Sequence, residues 1–264
     1  MTLADACQRA GALLRPARRV VVLTGAGIST ESGIPDFRSP GGLWSRYDPS
    51  ELTFDRFRAR LETRRLYWEI ACTAYPVMRD AIPNAAHDAI VAIEKAEKLL
   101  ALVTQNVDGL HQKAGNSRER IIEIHGSALG VRCIECGASA DREAVHARVL
   151  GGDAAPTCDE CDGALKPATI SFGQAMPERE TAAAFAAAAA CDLMIVVGSS
   201  LVVYPAAALP EEAVRAGAPL VIVNREPTGH DRLAEVVVGG SAGESMSRIA
   251  AEAGLALRGR GFDA

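Results

Sequence analysis

The chain has 264 residues, 48% of them hydrophobic, with 28 basic and 33 acidic side chains and a formal net charge of −5. That length buries one large core with room for a small attachment, and the mildly acidic balance, without any block of like charge, argues against nucleic acid or an anionic membrane as the main partner. No apolar run reaches the roughly 20 residues needed to span a bilayer, because Asp192 interrupts the longest candidate, Ala182 to Val197.

Six β-branched runs recur along the chain: Arg19 to Thr24, Leu99 to Thr104, Ile121 to Ile124, Leu193 to Val197, Leu220 to Val223 and Val236 to Val238. Between them lie segments of helical composition, Ala4 to Leu14, Ala85 to Lys98, Pro177 to Ala190, Ala206 to Ala216 and Gly243 to Ala253. Continuous apolar strands alternating with helices predict an α/β, doubly wound parallel sheet covered on both faces. Residues 37–80 carry Phe54, Phe57, Leu61, Leu66, Tyr67, Trp68 and Ile70 at near-helical spacing with no strand between them, and residues 130–167 carry two cysteine pairs. Both are read as insertions that together form a small helical and metal-binding module. Residues 1–36, 81–129 and 168–264 are left for the sheet domain. Ligands of such sheets bind beyond the carboxyl ends of the strands, so a cleft between the modules is the expected site.

The N-terminal segment "MTLADACQRAGALLRPARR" alternates charged and apolar residues and lacks the uncharged core of a signal peptide, so the protein is read as cytoplasmic. In a reducing compartment paired cysteines serve as metal ligands rather than disulfides. Cys133-x-x-Cys136 and Cys158-x-x-Cys161 are separated by 21 residues, with Gly137 and Gly163 soon after each pair. Two such knuckles complete a tetrahedral four-thiolate site suited to zinc. Four protein ligands leave no open position, so the zinc is expected to be structural. A nucleic-acid-binding ribbon is the alternative, for which the surrounding segment supplies little basic surface.

Polar motifs close the predicted strands. "VVVLTGAGIST" runs a strand into Gly25-Ala26-Gly27 and then reaches Thr30 where a dinucleotide fingerprint would place a third glycine. "VTQNVDGLH" sets Gln105, Asn106 and Asp108 after a buried strand, amides and a carboxylate suited to a carboxamide and ribose hydroxyls. His125 in "EIHGS" stands at the mouth of the expected cleft, where an imidazole can take a proton from a hydroxyl. "VVGSSLVVYPAA" offers Gly198, Ser199 and Ser200 to a phosphate, and "VIVNREPT" ends its strand at Asn224, placed to hold a ribose. The last four of these strand ends carry ligand-type side chains and point to a long ligand across the sheet edge, and NAD has that shape.

On "GAGISTESGIPDFRSPGGLW", "PNAAH", "TQNVDGLHQKAG", "HG", the two cysteine pairs, "LKPATISFG", "GSSLVVYPAA" and "VNREP", in this order, the chain resembles the sirtuins, the Sir2-type NAD-dependent protein deacylases. The resemblance implies a Rossmann-like sheet domain with a small zinc-binding plus helical module, structural zinc, and NAD consumed as co-substrate with nicotinamide released. Gly25, Ala26, Gly27, Ile28 and Ser29 match the phosphate loop; Asp36, Phe37 and Arg38 match the cofactor loop, with Phe37 shielding the reacting ribose. Gln105, Asn106 and Asp108 match the ribose and carboxamide pocket, with Asn106 a catalytic residue. His125 matches the general base. Gly198, Ser199 and Ser200 match phosphate and ribose contacts, and Asn224 and Arg225 the adenosine side. Ile170, Phe172 and Gly173 match the acyl-lysine tunnel and the edge that pairs with a peptide. Acylated lysines of proteins are the implied partner; oligomeric state is left open, a monomer included.

Several positions depart from common sirtuin patterns. Gln174 stands where Glu is frequent, Ser199 where Thr is, and Arg225 where an apolar residue is. The branch that removes acidic acyl groups carries Tyr-x-x-Arg in the helical insertion; here Tyr67 is followed by Trp68, Glu69 and Ile70, which argues against desuccinylation. The rival activities are protein mono-ADP-ribosyl transfer and removal of long or unusual acyl groups. A non-catalytic NAD-sensing or binding module is the remaining class, and the presence of Asn106, Asp108 and His125 argues against it.

Overall fold

The computed structural model describes residues 2–36, 42 and 45–257. Helix α1, Leu3–Leu14, starts at a capping box in which Thr2 Oγ1 accepts from the Asp5 N–H at 3.1 Å. It leads into β1, Val20–Thr24, which is followed by two 3-10 turns, Ala26–Ile28 and Thr30–Ser32. The helical insertion is α2, Phe54–Ala59, and α3, Leu61–Asp80. Then come α4, Ala85–Lys95; β2, Leu99–Thr104; α5, Leu110–Ala114; β3, Ile121–Glu123; β4, Gly126–Cys133; β5, Ser139–Ala140; α6, Arg142–Leu150; and β6, Leu165–Thr169. The chain returns through α7, Glu178–Ala190; β7, Leu193–Val197; α8, Leu209–Arg215; β8, Leu220–Asn224; β9, Val236–Gly239; and α9, Ala242–Glu252.

Six strands pair in the order β3-β2-β1-β7-β8-β9, all parallel, the doubly wound arrangement with its switch point between β1 and β7. Because side chains alternate along a strand, Val20 and Val22 face one layer with α1, α4 and α9, while Val21 and Leu23 face the other with α7 and α8. Every residue of β1 and β7 is buried, which explains their uninterrupted apolar sequence. β4, β5 and β6 form a second, antiparallel sheet in the order β5-β4-β6, which leaves β6 at an edge. Its core is Val131, Cys133, Val145, Cys158 and Leu165, packed on Trp68 of α3, whose indole N–H donates to the Leu165 carbonyl at 2.9 Å.

Two elements differ from the sequence expectation. α4 stops at Lys95 because Glu97 takes a left-handed φ of 57°, returning the Lys98 N–H to the Ile93 carbonyl at 3.1 Å. The expected helix from Ala206 to Ala216 divides into a 3-10 turn, Ala206–Ala208, and α8. Among the described residues no helix is long and apolar enough to cross a membrane.

Candidate active site

A cavity of about 960 Å³ lies beyond the carboxyl ends of β1, β2, β7 and β8, between the large sheet and the small module. Its floor is the switch point. The Gly27 N–H donates to the Gly198 carbonyl at 2.8 Å, and the Gly25 N–H donates to the Val197 carbonyl at 3.1 Å. A Cβ on Gly198, whose φ is +63°, would come within 2.3 Å of the Ile28 nitrogen, and one on Gly27 within 2.8 Å of the Gly198 Cα. Only glycine lets the two turns interlock, and they form an open cradle lined by Gly25, Ala26, Gly27, Gly198, Ser199 and Ser200.

From β2, Gln105 and Asn106 reach the cavity. Gln105 Nε2 donates to Ser199 Oγ at 2.9 Å and bridges two strand ends. Asn106 Nδ2 donates to the Gly25 carbonyl at 3.2 Å and to Ser29 Oγ at 3.1 Å. Ser29 Oγ in turn donates to Asp108 Oδ2 at 2.7 Å, and Asp108 Oδ1 accepts from the Leu110 N–H at 2.9 Å. Burial raises the Asp108 carboxyl above the usual carboxylate range, with these bonds opposing it.

A second hydrogen-bonded chain supports Asn106 from below. Thr104 Oγ1 accepts from the Asn106 N–H at 3.0 Å and from Thr24 Oγ1 at 2.8 Å. Thr24 Oγ1 lies 2.9 Å from His111 Nε2, so that nitrogen carries the proton it donates. Burial and the neighbouring His87 hold His111 well below the ordinary histidine range, so it is neutral.

His125 lines the cavity and its Nδ1 lies 3.1 Å from the Gln105 carbonyl. A carbonyl only accepts, so Nδ1 carries the hydrogen and Nε2 keeps its lone pair. Burial lowers the His125 pKa, partly offset by the Gln105 bond. A neutral imidazole of fixed tautomer is the state a general base needs. The His125 carbonyl accepts from the Ile170 N–H at 2.9 Å, which brings the segment after β6 to the same spot. Ile170, Phe172 and Gly173 line the cavity, and the Phe172 carbonyl accepts from the Phe54 N–H at 2.9 Å, tying that segment to α2.

Asp36, Asn224 and Arg225 also line the cavity; Asn224 Nδ2 is engaged by the Glu226 carbonyl at 2.6 Å. Ile28, Ser29 and Asp108, expected among the cofactor contacts, lie deeper than the residues that line the cavity: Ile28 is in the core and the other two form a buried hydrogen-bonded pair, the turn after β1 folding inward as a 3-10 helix. Phe37 and Arg38 lie outside the described residues. The sequence reading missed the wall contributed by α3, where Tyr67, Ala71, Ala74 and Met78 recur at helical spacing. That periodicity was visible, and it reads as core until the cavity is seen.

The four paired cysteines meet as expected. Their Sγ atoms all lie within 4.8 Å of one another, with Cys133–Cys161 at 3.6 Å and Cys136–Cys158 at 3.8 Å. A tetrahedral zinc with bonds of about 2.3 Å sets its sulfurs about 3.8 Å apart, so the donor set fits that ion.

The Sir2 family model matches residues 25–205. The NAD-dependent protein deacetylase 1 of Bradyrhizobium diazoefficiens is 46% identical over 244 residues, covering 92% of this chain and 95% of its own length. The NAD-dependent protein deacylase 2 of Pyrobaculum aerophilum is 41% identical, with 94% and 96% covered. Among solved structures, a Sir2 variant with deacetylated p53 peptide and 3′-O-acetyl ADP ribose superposes with a TM-score of 0.87 at 36% identity, over 94% of this chain and 99% of that one. A Sir2 complex with p53 peptide and NAD+ superposes with a TM-score of 0.83 at 37% identity, over 92% and 96%. A family model that spans both cradle turns, and relatives aligned along at least nine-tenths of the chain, make it a member of the Sir2 family.

Proposed function

We propose that the chain is an NAD-dependent protein lysine deacylase that consumes NAD and yields nicotinamide, O-acyl-ADP-ribose and free lysine. The observation that carries this is His125, a neutral base of fixed tautomer in the same cavity as a glycine cradle and a polar strand-end cluster. The cradle N–H groups not spent on the interlock, with the Ser199 and Ser200 hydroxyls, bind the diphosphate and its ribose. Asn224 and Arg225 hold the adenosine side, while Gln105, Asn106 and Asp36 orient the nicotinamide ribose and carboxamide. Cleavage of the glycosidic bond places positive charge on the ribose, and a neutral His125 avoids opposing it while accepting a hydroxyl proton at Nε2. Ser29 and Asp108 position Asn106 from behind the wall.

The free edge of β6, continuing through Ile170, Phe172 and Gly173, offers backbone groups to an extended peptide and delivers its acyl-lysine beside His125. Zinc at Cys133, Cys136, Cys158 and Cys161 ties the ends of β4 and β6 and so fixes that edge. The reading includes the division into a sheet domain and a small module of residues 37–80 and 130–167, acyl proteins rather than nucleic acid as partner, and a cytoplasmic setting that keeps the thiolates reduced. Incubation with NAD and an acetyl-lysine peptide tests it. Nicotinamide, deacetylated peptide and O-acetyl-ADP-ribose are expected in equal amounts by mass spectrometry. ADP-ribose attached to protein without deacetylation would instead establish the transferase activity.

A further inference from the structure

The 3-10 turns after β1 send one side chain away from the cavity floor. Thr30 Oγ1 donates back to the Gly27 carbonyl at 3.0 Å. Asn84 Nδ2, at the start of α4, donates to the Ile28 carbonyl at 2.7 Å and to Ser32 Oγ at 3.0 Å. Both neighbours of Glu31 are therefore pinned, and its carboxylate extends from a fixed base. Glu31 Oε1 accepts from the Gly243 N–H at 2.9 Å, across 212 residues of sequence.

Gly243 is the second residue of α9, in the turn whose N–H groups have no partner within the helix. Ser241 holds the N-cap position, yet its side chain makes no capping hydrogen bond. Glu31 takes the N–H that a local cap would take, and sets a negative charge at the positive end of the helix dipole. A Cβ on Gly243 would stand 2.4 Å from Glu31 Oε2, and its next two neighbours, at 3.2 and 3.4 Å, belong to the same carboxylate. Nothing but that carboxylate calls for glycine here. The adjacent Glu244 turns the other way, to Arg248 at 2.7 Å.

The turn held in this way is a wall of the cavity. β9 lies outside β8 in the sheet, so Gly240, Ser241 and Ala242, which follow it, line the cavity beyond Asn224, at the opposite end of the sheet from His125. With the diphosphate in the cradle between β1 and β7 and its ribose at Asn224, the adenine ring reaches this turn. We propose that Glu31 is a positioning residue for the cofactor, capping α9 from the segment that carries the phosphate loop and so holding residues 240–242 against the adenine. It acts through α9 and leaves the reacting ribose and the acyl-lysine alone. The assignment rests on the NAD-site reading.

Calorimetry with ADP-ribose, together with steady-state kinetics on NAD and an acetyl-lysine peptide, tests the assignment. Glu31→Ala is expected to weaken ADP-ribose binding about fivefold, the effect of one helix cap, and to raise the KM for NAD by the same factor. The kcat and the KM for peptide should change less than about twofold. Glu31→Gln keeps an acceptor oxygen and recovers part of the loss. Gly243→Ala reproduces the loss by displacing the carboxylate, and adds nothing in the Glu31→Ala background, where the clash is gone. Unchanged ADP-ribose affinity in Glu31→Ala, equal effects on the two KM values, or a Gly243→Ala loss as large without Glu31 as with it overturns the proposal. Binding is read without turnover, so ADP-ribose binding without nicotinamide release from NAD would overturn the deacylase reading alone. A wild-type protein that does not bind ADP-ribose would overturn both.

Discussion

Replacing Ser29 by alanine removes the hub beneath the cavity without touching its wall. Two hydrogen bonds disappear, the 2.7 Å bond to Asp108 and the 3.1 Å bond from Asn106. Asp108 then keeps the Leu110 N–H, and Asn106 keeps the Gly25 carbonyl. A bond to a charged group contributes about 1.5–3 kcal/mol and a neutral one about 1 kcal/mol, so a loss of about 3 kcal/mol of stability is expected. Burial already raises the Asp108 pKa and the Ser29 bond opposes it, so the substitution raises it further. With a folded pKa above the unfolded one, the native state retains a proton that the unfolded chain releases. The deficit relative to wild type therefore grows as pH rises from the wild-type folded value, itself above the unfolded value of about 3.9, through the variant's higher one. Urea unfolding of both proteins at about pH 5.5 and about pH 7.5 reads this out, with a larger deficit at the higher pH. A loss under about 1 kcal/mol, or a deficit that shrinks as pH rises, would refute the hub.

His125→Ala is expected to reduce product formation by at least about 100-fold while nicotinamide exchange is less affected; equal loss in a folded variant assigns His125 another task. Because burial lowers the His125 pKa, kcat/KM should fall on the acid side only below about pH 6.5, and a limb centred above that value contradicts the base assignment. Gly198→Ala forces a Cβ into the Ile28 nitrogen at a left-handed φ, so a loss of at least about 2 kcal/mol and weaker NAD binding by calorimetry are expected. Cys161→Ala should abolish stoichiometric zinc and lower the thermal midpoint, whereas a zinc-free variant with unchanged melting would show that the metal does not hold the small module.

The large sheet was legible because β1, β2, β7 and β8 are buried on both faces and so carry nearly unbroken apolar runs. The second sheet was not: β5 has two residues, and β4, "GSALGVRC", mixes polar and small side chains over a shallow core. Gln105, Asn106, His125, Gly198 and Asn224 announced themselves by following such runs, where α/β folds place ligands. Ser29 and Asp108 looked equivalent to them, yet the difference between wall and backing depends on a 3-10 turn that the residue pattern does not dictate. The α3 wall was hidden for a related reason, since a stripe facing a cavity and a stripe facing a core have the same period.

The interlock of the turns after β1 and β7 bears on how such chains exchange parts. Gly27 and Gly198 are far apart in sequence, yet each occupies the space the other's side chain would need. A chimera that takes its first half from one relative and its second from another keeps the cradle only when both donors carry glycine at these two places. Recombination breakpoints between residues 27 and 198 are therefore neutral for this contact among such relatives, and outside that set they damage the fold and the nucleotide site in one event.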